Sequence, residues 1–301
     1  MALSIGKIAE EDQRQDILAR ARARASLVPD MLVEARRIAN TVVGGWHGRK
    51  RRGIGDTFWQ FRPYDLGESL SRIDWRRSAR DDSITIRDQE WEAAHTVWVW
   101  ADRSRSMKFQ SDLSTVSKQS RALVLALALT EVLARSGERV GWPGLTNAIS
   151  SRNAAEKLAT EIMGEENRST LSFPPASSIR SRSELVVFSD FLDPNDETVE
   201  SMYQLASRDV RGTLVQIIDP AEEVFPYSGR TQFEDPETGL KFTSGRAQDL
   251  SEDYSRLFQA RKQQLSEKCQ KIGWQHIVHH TDNLASSALV DLHIRLTGET
   301  I

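Results

Sequence analysis

Cysteine is almost absent: Cys269 is the single one among 301 residues. No disulfide can form within the chain, and a cysteine-rich zinc site is excluded. Long apolar runs are lacking as well. The most apolar stretch, 122–134, is interrupted by Thr130 and Glu131 and flanked by Arg121 and Arg135. It falls short of the roughly 20 apolar residues a membrane-spanning helix needs, so a buried helix is expected there. No apolar segment follows Met1 to Asp12, and no secretory signal is read. From these absences a cytoplasmic chain is expected. Basic charge is not in excess: the formal net charge is −3, which leaves no general electrostatic footprint for nucleic acid. No P-loop and no glycine-rich dinucleotide fingerprint occurs, so no ATPase activity is expected. What remains, 39% hydrophobic and 28% charged residues, is an ordinary globular composition, long enough for one large domain or two modest ones.

The apolar spacing then organises the chain. Ile17, Leu18, Leu27, Val28, Met31, Leu32, Ala35 and Ile38 recur at helical spacing and predict an N-terminal helical segment over 1–43, stopped at Gly44-Gly45. Residues 44–93 carry Trp46, Phe58, Trp59, Phe61, Tyr64, Trp75 and Trp91, with alternation at 83–87, and predict a small β-rich subdomain. From 94 to 301 apolar strands alternate with helices. Strands are expected at 97–101, 139–142, 184–189, 213–218 and 274–279, and helices at 113–135, 153–163, 196–208, 249–272 and 284–296. Around the turn Asp235-Pro236-Glu237-Thr238-Gly239, a hairpin insertion over 221–245 is expected at the sheet edge. The fold class read from this pattern is α/β: a doubly wound, mostly parallel sheet with helices on both faces, preceded by the β-rich subdomain and the helical segment.

In such a sheet ligands bind beyond the carboxyl ends of the strands, where the strand order reverses. The strand at 97–101 runs into Asp102-Arg103-Ser104-Arg105-Ser106. Alternate side chains of an extended loop point the same way, so one carboxylate and two hydroxyls can converge. Hard oxygen donors of this kind suit Mg²⁺ or Mn²⁺. A second apolar strand, 184–189, leads into Asp190, which would face the same crevice and hold a metal-bound water or bind directly. The bland alternative is that Asp102 and the serines only satisfy backbone groups at a strand-to-helix turn.

The Asp-x-Ser-x-Ser run resembles the metal-ion-dependent adhesion site of von Willebrand factor A-type domains. The resemblance implies metal roles for Asp102, Ser104, Ser106 and Asp190, and a Thr from an intervening loop, where Ser169 and Thr170 stand without the family's glycine-rich lead-in. Few carboxylates would neutralise such an ion, so a partner's Glu or Asp could complete it: a docking site rather than a reaction centre. Upstream, Arg62-Pro63-Tyr64-Asp65-Leu66-Gly67-Glu68, then Arg72-Ile73-Asp74-Trp75, then Ala79-Arg80, resembles the signature of the bacterial domain-of-unknown-function 58 family, with Glu68 where Asp is commoner. That resemblance covers 44 to the C-terminus. It implies a non-catalytic protein-interaction module that acts with a MoxR-type AAA+ ATPase in maturing or remodelling other proteins. For the signature itself, ion pairs and Trp75 packing that fix the extension stand beside an external docking surface. Two further readings stay open: a metal-dependent, phosphoesterase-like hydrolase in the same crevice, which would need a base or a second metal, and nucleic-acid binding through Arg49-Lys50-Arg51-Arg52. His276, His279 and His280 read as core or strand-end residues.

Overall fold

The computed structural model describes residues 30–42, 51–53, 57–65, 73–80, 84–91, 95–164, 171, 173–192 and 196–297. The chain divides into two units, 46–95 and the remainder.

The smaller unit is a three-stranded antiparallel sheet. Strand β1 (Arg51–Gly53) and strand β2 (Thr57–Pro63) lie on either side of β3 (Thr85–Trp91). The described part of the family signature holds this unit together from within. Ile73 bridges Ile86, and both are buried. Asp74 caps the short helix α2 (Trp75–Ser78) by accepting the Arg77 amide at 3.0 Å. The packing expected of Trp75 does not hold: its side chain is 62% exposed. The basic run cannot be followed, because Arg49, Lys50 and the side chains of Arg51 and Arg52 lie outside the described residues.

In the larger unit a helix over 30–42, α1, buries Ala35, Ile38, Ala39 and Val42 on one face, the spacing of an amphipathic helix. Its polar side reaches Glu156 through Arg36 and Arg135 through Asn40. The core is a five-stranded sheet built from β4 (Thr96–Ala101), β5 (Arg139–Gly141), β6 (Glu184–Ser189), β7 (Arg211–Ile218) and β10 (Gln275–His280), every adjacent pair parallel. The order is β10-β7-β6-β4-β5. Counted within the sheet this is 2-1-3-4-5, with the chain reversing direction between β4 and β6. Both strands are buried along nearly their whole length, which explains their unbroken Val, Trp, Leu and Phe content. Helices flank the sheet. Helix α3 (Lys118–Arg135) lies over β4 to β7, with α4 (Ala154–Gly164) and α8 (Ala285–Thr297) beside it, and α7 (Ser251–Lys271) lies against β10.

Two expectations change in detail. Helix α3 starts at Lys118 rather than near 113, because the Ser117 hydroxyl accepts the Ser120 amide and caps it there. The hairpin of β8 (Thr231–Glu234) and β9 (Lys241–Ser244) is a separate two-stranded sheet, not an edge of the main one. Close packing also selects Gly212 in β7. A Cβ there would lie 2.1 Å from the Trp274 ring, whose Nε1–H donates to the Val210 carbonyl at 2.9 Å.

Candidate functional site

The β4–β6 junction is where a parallel sheet opens for a ligand, and the Asp-x-Ser-x-Ser run sits on it. The Asp102 amide extends the ladder by donating to the Phe188 carbonyl at 2.8 Å. That fixes the Asp102 side chain between the two strand ends. Its Oδ1 accepts the Ser104 amide at 2.8 Å and its Oδ2 the Ser189 hydroxyl at 2.7 Å. Asp102 is only 1% exposed. Burial pushes its carboxyl up to about 6, against the pull of the Ser104 and Ser189 hydrogen bonds and with the Asp190 charge adding to the rise. It is a buried anion with little compensating charge.

The two hydroxyls do meet, but through a helical turn at Arg105 and Ser106 rather than along an extended loop. Ser104 Oγ and Ser106 Oγ are 3.1 Å apart. Neighbouring ligands of an octahedral Mg²⁺, each about 2.1 Å from the ion, stand about 3 Å apart. The hydroxyl pair therefore has the spacing of two neighbouring ligands of a small hard cation. Backbone capping is present, since the Ser104 amide closes a turn onto Asp102.

Asp190 reaches the crevice, but its carboxylate is already engaged. Lys118, fully buried in the first turn of α3, donates from Nζ to Asp190 Oδ2 at 2.9 Å and to Glu222 Oε1 at 2.6 Å. Burial alone would lower the ammonium's pKa; the two carboxylates outweigh it and hold the group charged, above its ordinary value. Glu222 belongs to α6 (Pro220–Val224), where it also accepts the Asp219 amide in a capping box. Asp219, buried at the end of β7, takes the Ser111 amide and hydroxyl. The Gln216 side-chain amide donates to the Asp190 carbonyl at 2.9 Å. Asp102, Asp190 and Asp219 at the strand ends and Glu222 on α6 thus gather at this end of the sheet, with Lys118 bridging Asp190 and Glu222. Thr170 and Ser169 lie outside the described residues.

Sequence reasoning missed Lys118, Glu222, Ser189 and Glu237. One of them left a trace. A lysine directly after the Ser117 cap opposes the helix dipole, and that placement needs a compensating anion. Glu237 is 131 positions from its partner, the Ser106 amide, which it accepts at 2.9 Å. Arg103, which alternates with the donors, turns away and donates to the Ile162 carbonyl at 3.0 Å. The histidines serve locally: His276 pairs with Gln216 and His280 with Glu223. Among the described residues no three His, Cys, Asp or Glu side chains group closely enough to hold a metal. Any cation at the switch point would therefore depend on the serine hydroxyls.

Comparison with known proteins gives relatives and a family. The chain is 23% identical over 225 residues to Uncharacterized protein Mb1516 of Mycobacterium bovis, covering 68% of each chain. Among solved structures it is similar to the conserved hypothetical protein BatB from Bacteroides thetaiotaomicron, at 12% identity and a TM-score of 0.39 over 68% of this chain and 100% of that one. It is also similar to an aerotolerance-related membrane protein from Bacteroides fragilis, at 17% identity and a TM-score of 0.39 over 67% and 99%. The expectation of a cytoplasmic chain is not kept: solved structures similar to this chain include ones named as membrane proteins. That expectation came from the lack of an apolar run, which tests only for a spanning helix. No helix among the described residues is long and apolar enough to cross a membrane. The model of the family described as Protein of unknown function DUF58 matches residues 60–264, more than half of the 301, and to that family the chain belongs.

Proposed function

We propose that this chain is a non-catalytic, von Willebrand factor A-like interaction module whose switch-point crevice binds Mg²⁺ or Mn²⁺ and offers it to a carboxylate on a protein partner. The observation that carries this reading is the pair of hydroxyls, Ser104 and Ser106, 3.1 Å apart beside a buried, under-compensated Asp102. When bound, the ion would supply positive charge and an open coordination position. Ser104 and Ser106 would hold it through their hydroxyls. Asp102 would balance it electrostatically, and Ser189 and the Ser104 amide keep that carboxylate oriented. Asp190 contributes long-range negative charge, while Lys118 occupies the oxygen it would otherwise offer. One ionised carboxylate and neutral hydroxyls leave a divalent ion electron-poor, the condition under which an incoming Glu or Asp binds well. The partner that the family resemblance implies, a MoxR-type AAA+ ATPase, belongs to this proposal.

The experiment is a melting-temperature titration of the full chain with Mn²⁺ after treatment with chelator. Binding at about 100 times Kd would stabilise the wild type by about 2.7 kcal/mol. Ser104→Ala with Ser106→Ala should abolish the shift while leaving the metal-free melting point nearly unchanged. The reading fails if wild type shows no shift, or if the double variant shows the same one.

A further inference from the structure

We propose that Glu237 is a built-in acidic ligand of the switch-point site, held there by the β8–β9 hairpin, and that a partner's carboxylate gains the site by displacing it. This rests on the cation-binding reading above and adds to it a residue and a mode of control.

Glu237 Oε1 accepts the amide of Ser106 at 2.9 Å. Amide and hydroxyl of Ser106 belong to one residue, and that hydroxyl is one of the two proposed donors. The Glu237 carboxylate is thus fixed on the backbone of a residue that carries one of the proposed donors.

The hairpin is built to hold it there. Asp235 organises the tip: its Oδ1 accepts the Glu237 amide at 2.9 Å and its Oδ2 the Thr238 hydroxyl at 2.6 Å. Gly239 closes the turn at φ 72°, a left-handed backbone that glycine adopts without strain, and its amide returns to the Asp235 carbonyl at 2.8 Å. The hairpin is anchored through Phe233, whose ring stands 5.7 Å from Phe225 and 5.4 Å from Tyr227, with Tyr254 also against Phe225. Leu240 in the turn and Phe242, paired across from Phe233, are 72% and 56% exposed. A large apolar surface does not clamp the tip shut, so the Glu237–Ser106 contact can open without unfolding the aromatic anchor.

The chemistry fits a displaceable ligand. A single carboxylate–amide hydrogen bond on an exposed side chain is weak enough to break. Tethering nevertheless places its carboxylate at an effective concentration in the millimolar range. A free carboxylate must compete with that, and a partner that also engages the exposed Leu240 and Phe242 could draw the hairpin away.

Two measurements on the full chain test this. The first is metal-free: hydrogen exchange at the Ser106 amide in wild type and Glu237→Ala. About tenfold faster exchange is expected in the variant, as befits loss of a charge-assisted hydrogen bond. The second uses Mn²⁺-loaded protein and acetate as the carboxylate probe, followed by water-proton relaxation. Glu237→Ala should take acetate about tenfold more tightly than wild type. Glu237→Gln, which keeps the length but loses the charge, should follow it. Equal exchange rates, or equal acetate affinity in Mn²⁺-loaded protein, would overturn this proposal alone. Failure of every variant to bind Mn²⁺ would overturn the cation reading and this inference with it.

Discussion

Replacing Asp102 by Asn should make the metal-free protein more stable. The carboxyl is buried and pushed up from 3.8 to about 6. Below about pH 4 it is protonated in folded and unfolded chains alike, and ionisation costs nothing. Between 3.8 and 6 the unfolded chain releases its proton while the folded chain keeps it, so stability falls as pH rises. Above 6 the folded state carries the full penalty of a buried charge. A difference of about 2.2 pH units at about 1.36 kcal/mol each is about 3 kcal/mol. Asparagine escapes that penalty. It keeps one acceptor for the Ser104 amide or the Ser189 hydroxyl and turns its NH₂ toward the other, a mismatch of about 1 kcal/mol. The net gain is about 2 kcal/mol at neutral pH, or about 4 °C at about 2 °C per kcal/mol. The assay is the melting temperature of Asp102→Asn minus that of wild type, in chelator, from pH 4 to pH 8. The difference should be near zero or slightly negative at pH 4, rise through pH 6, and level off. Excess Mn²⁺ should reverse the order at pH 8, since only wild type keeps the charge that balances the ion. An Asn variant less stable than wild type in chelator at pH 8, or a difference that ignores pH, would refute the reasoning.

Other perturbations follow from the same geometry. Lys118→Met leaves Asp190 and Glu222 facing each other without their ammonium and should cost about 3–5 kcal/mol; adding Asp190→Asn and Glu222→Gln should recover part of it, read by melting temperature and soluble yield. Gly212→Ala sets a methyl against the Trp274 ring and should cost about 1–3 kcal/mol, with a shift in tryptophan emission. Burial holds His276 and His279 down at about 4. Their stabilising contribution is complete above the ordinary value of 6.5 and is lost as pH falls toward 4. His279→Gln should therefore flatten the acid side of the stability curve, opposite in sign to Asp102→Asn.

The strands β4, β6 and β7 and the helices around them were legible because burial on both faces forces continuous apolar strands, and one-sided helices keep their 3.6-residue spacing. The donor loop was legible for a related reason. Asp102, Ser104 and Ser106 are neighbours in sequence, so one short turn holds all three, although it closes as a helical turn at Arg105 and Ser106 rather than as the extended loop expected. Charge compensation was not legible. Asp190 followed from its place at the end of β6, but its engagement by Lys118 depends on how α3 crosses the sheet, and Glu222 on a short helix with no apolar period.

By itself, the sequence determined an α/β chain with a switch-point loop of hard oxygen donors, because backbone periodicity and residue spacing are local properties. Only the tertiary structure decided which charges face each other there. It put Lys118 on Asp190 and Glu237 on the Ser106 amide, because electrostatic energy depends on distance through space, and contacts across 72 and 131 positions leave no pattern along the chain.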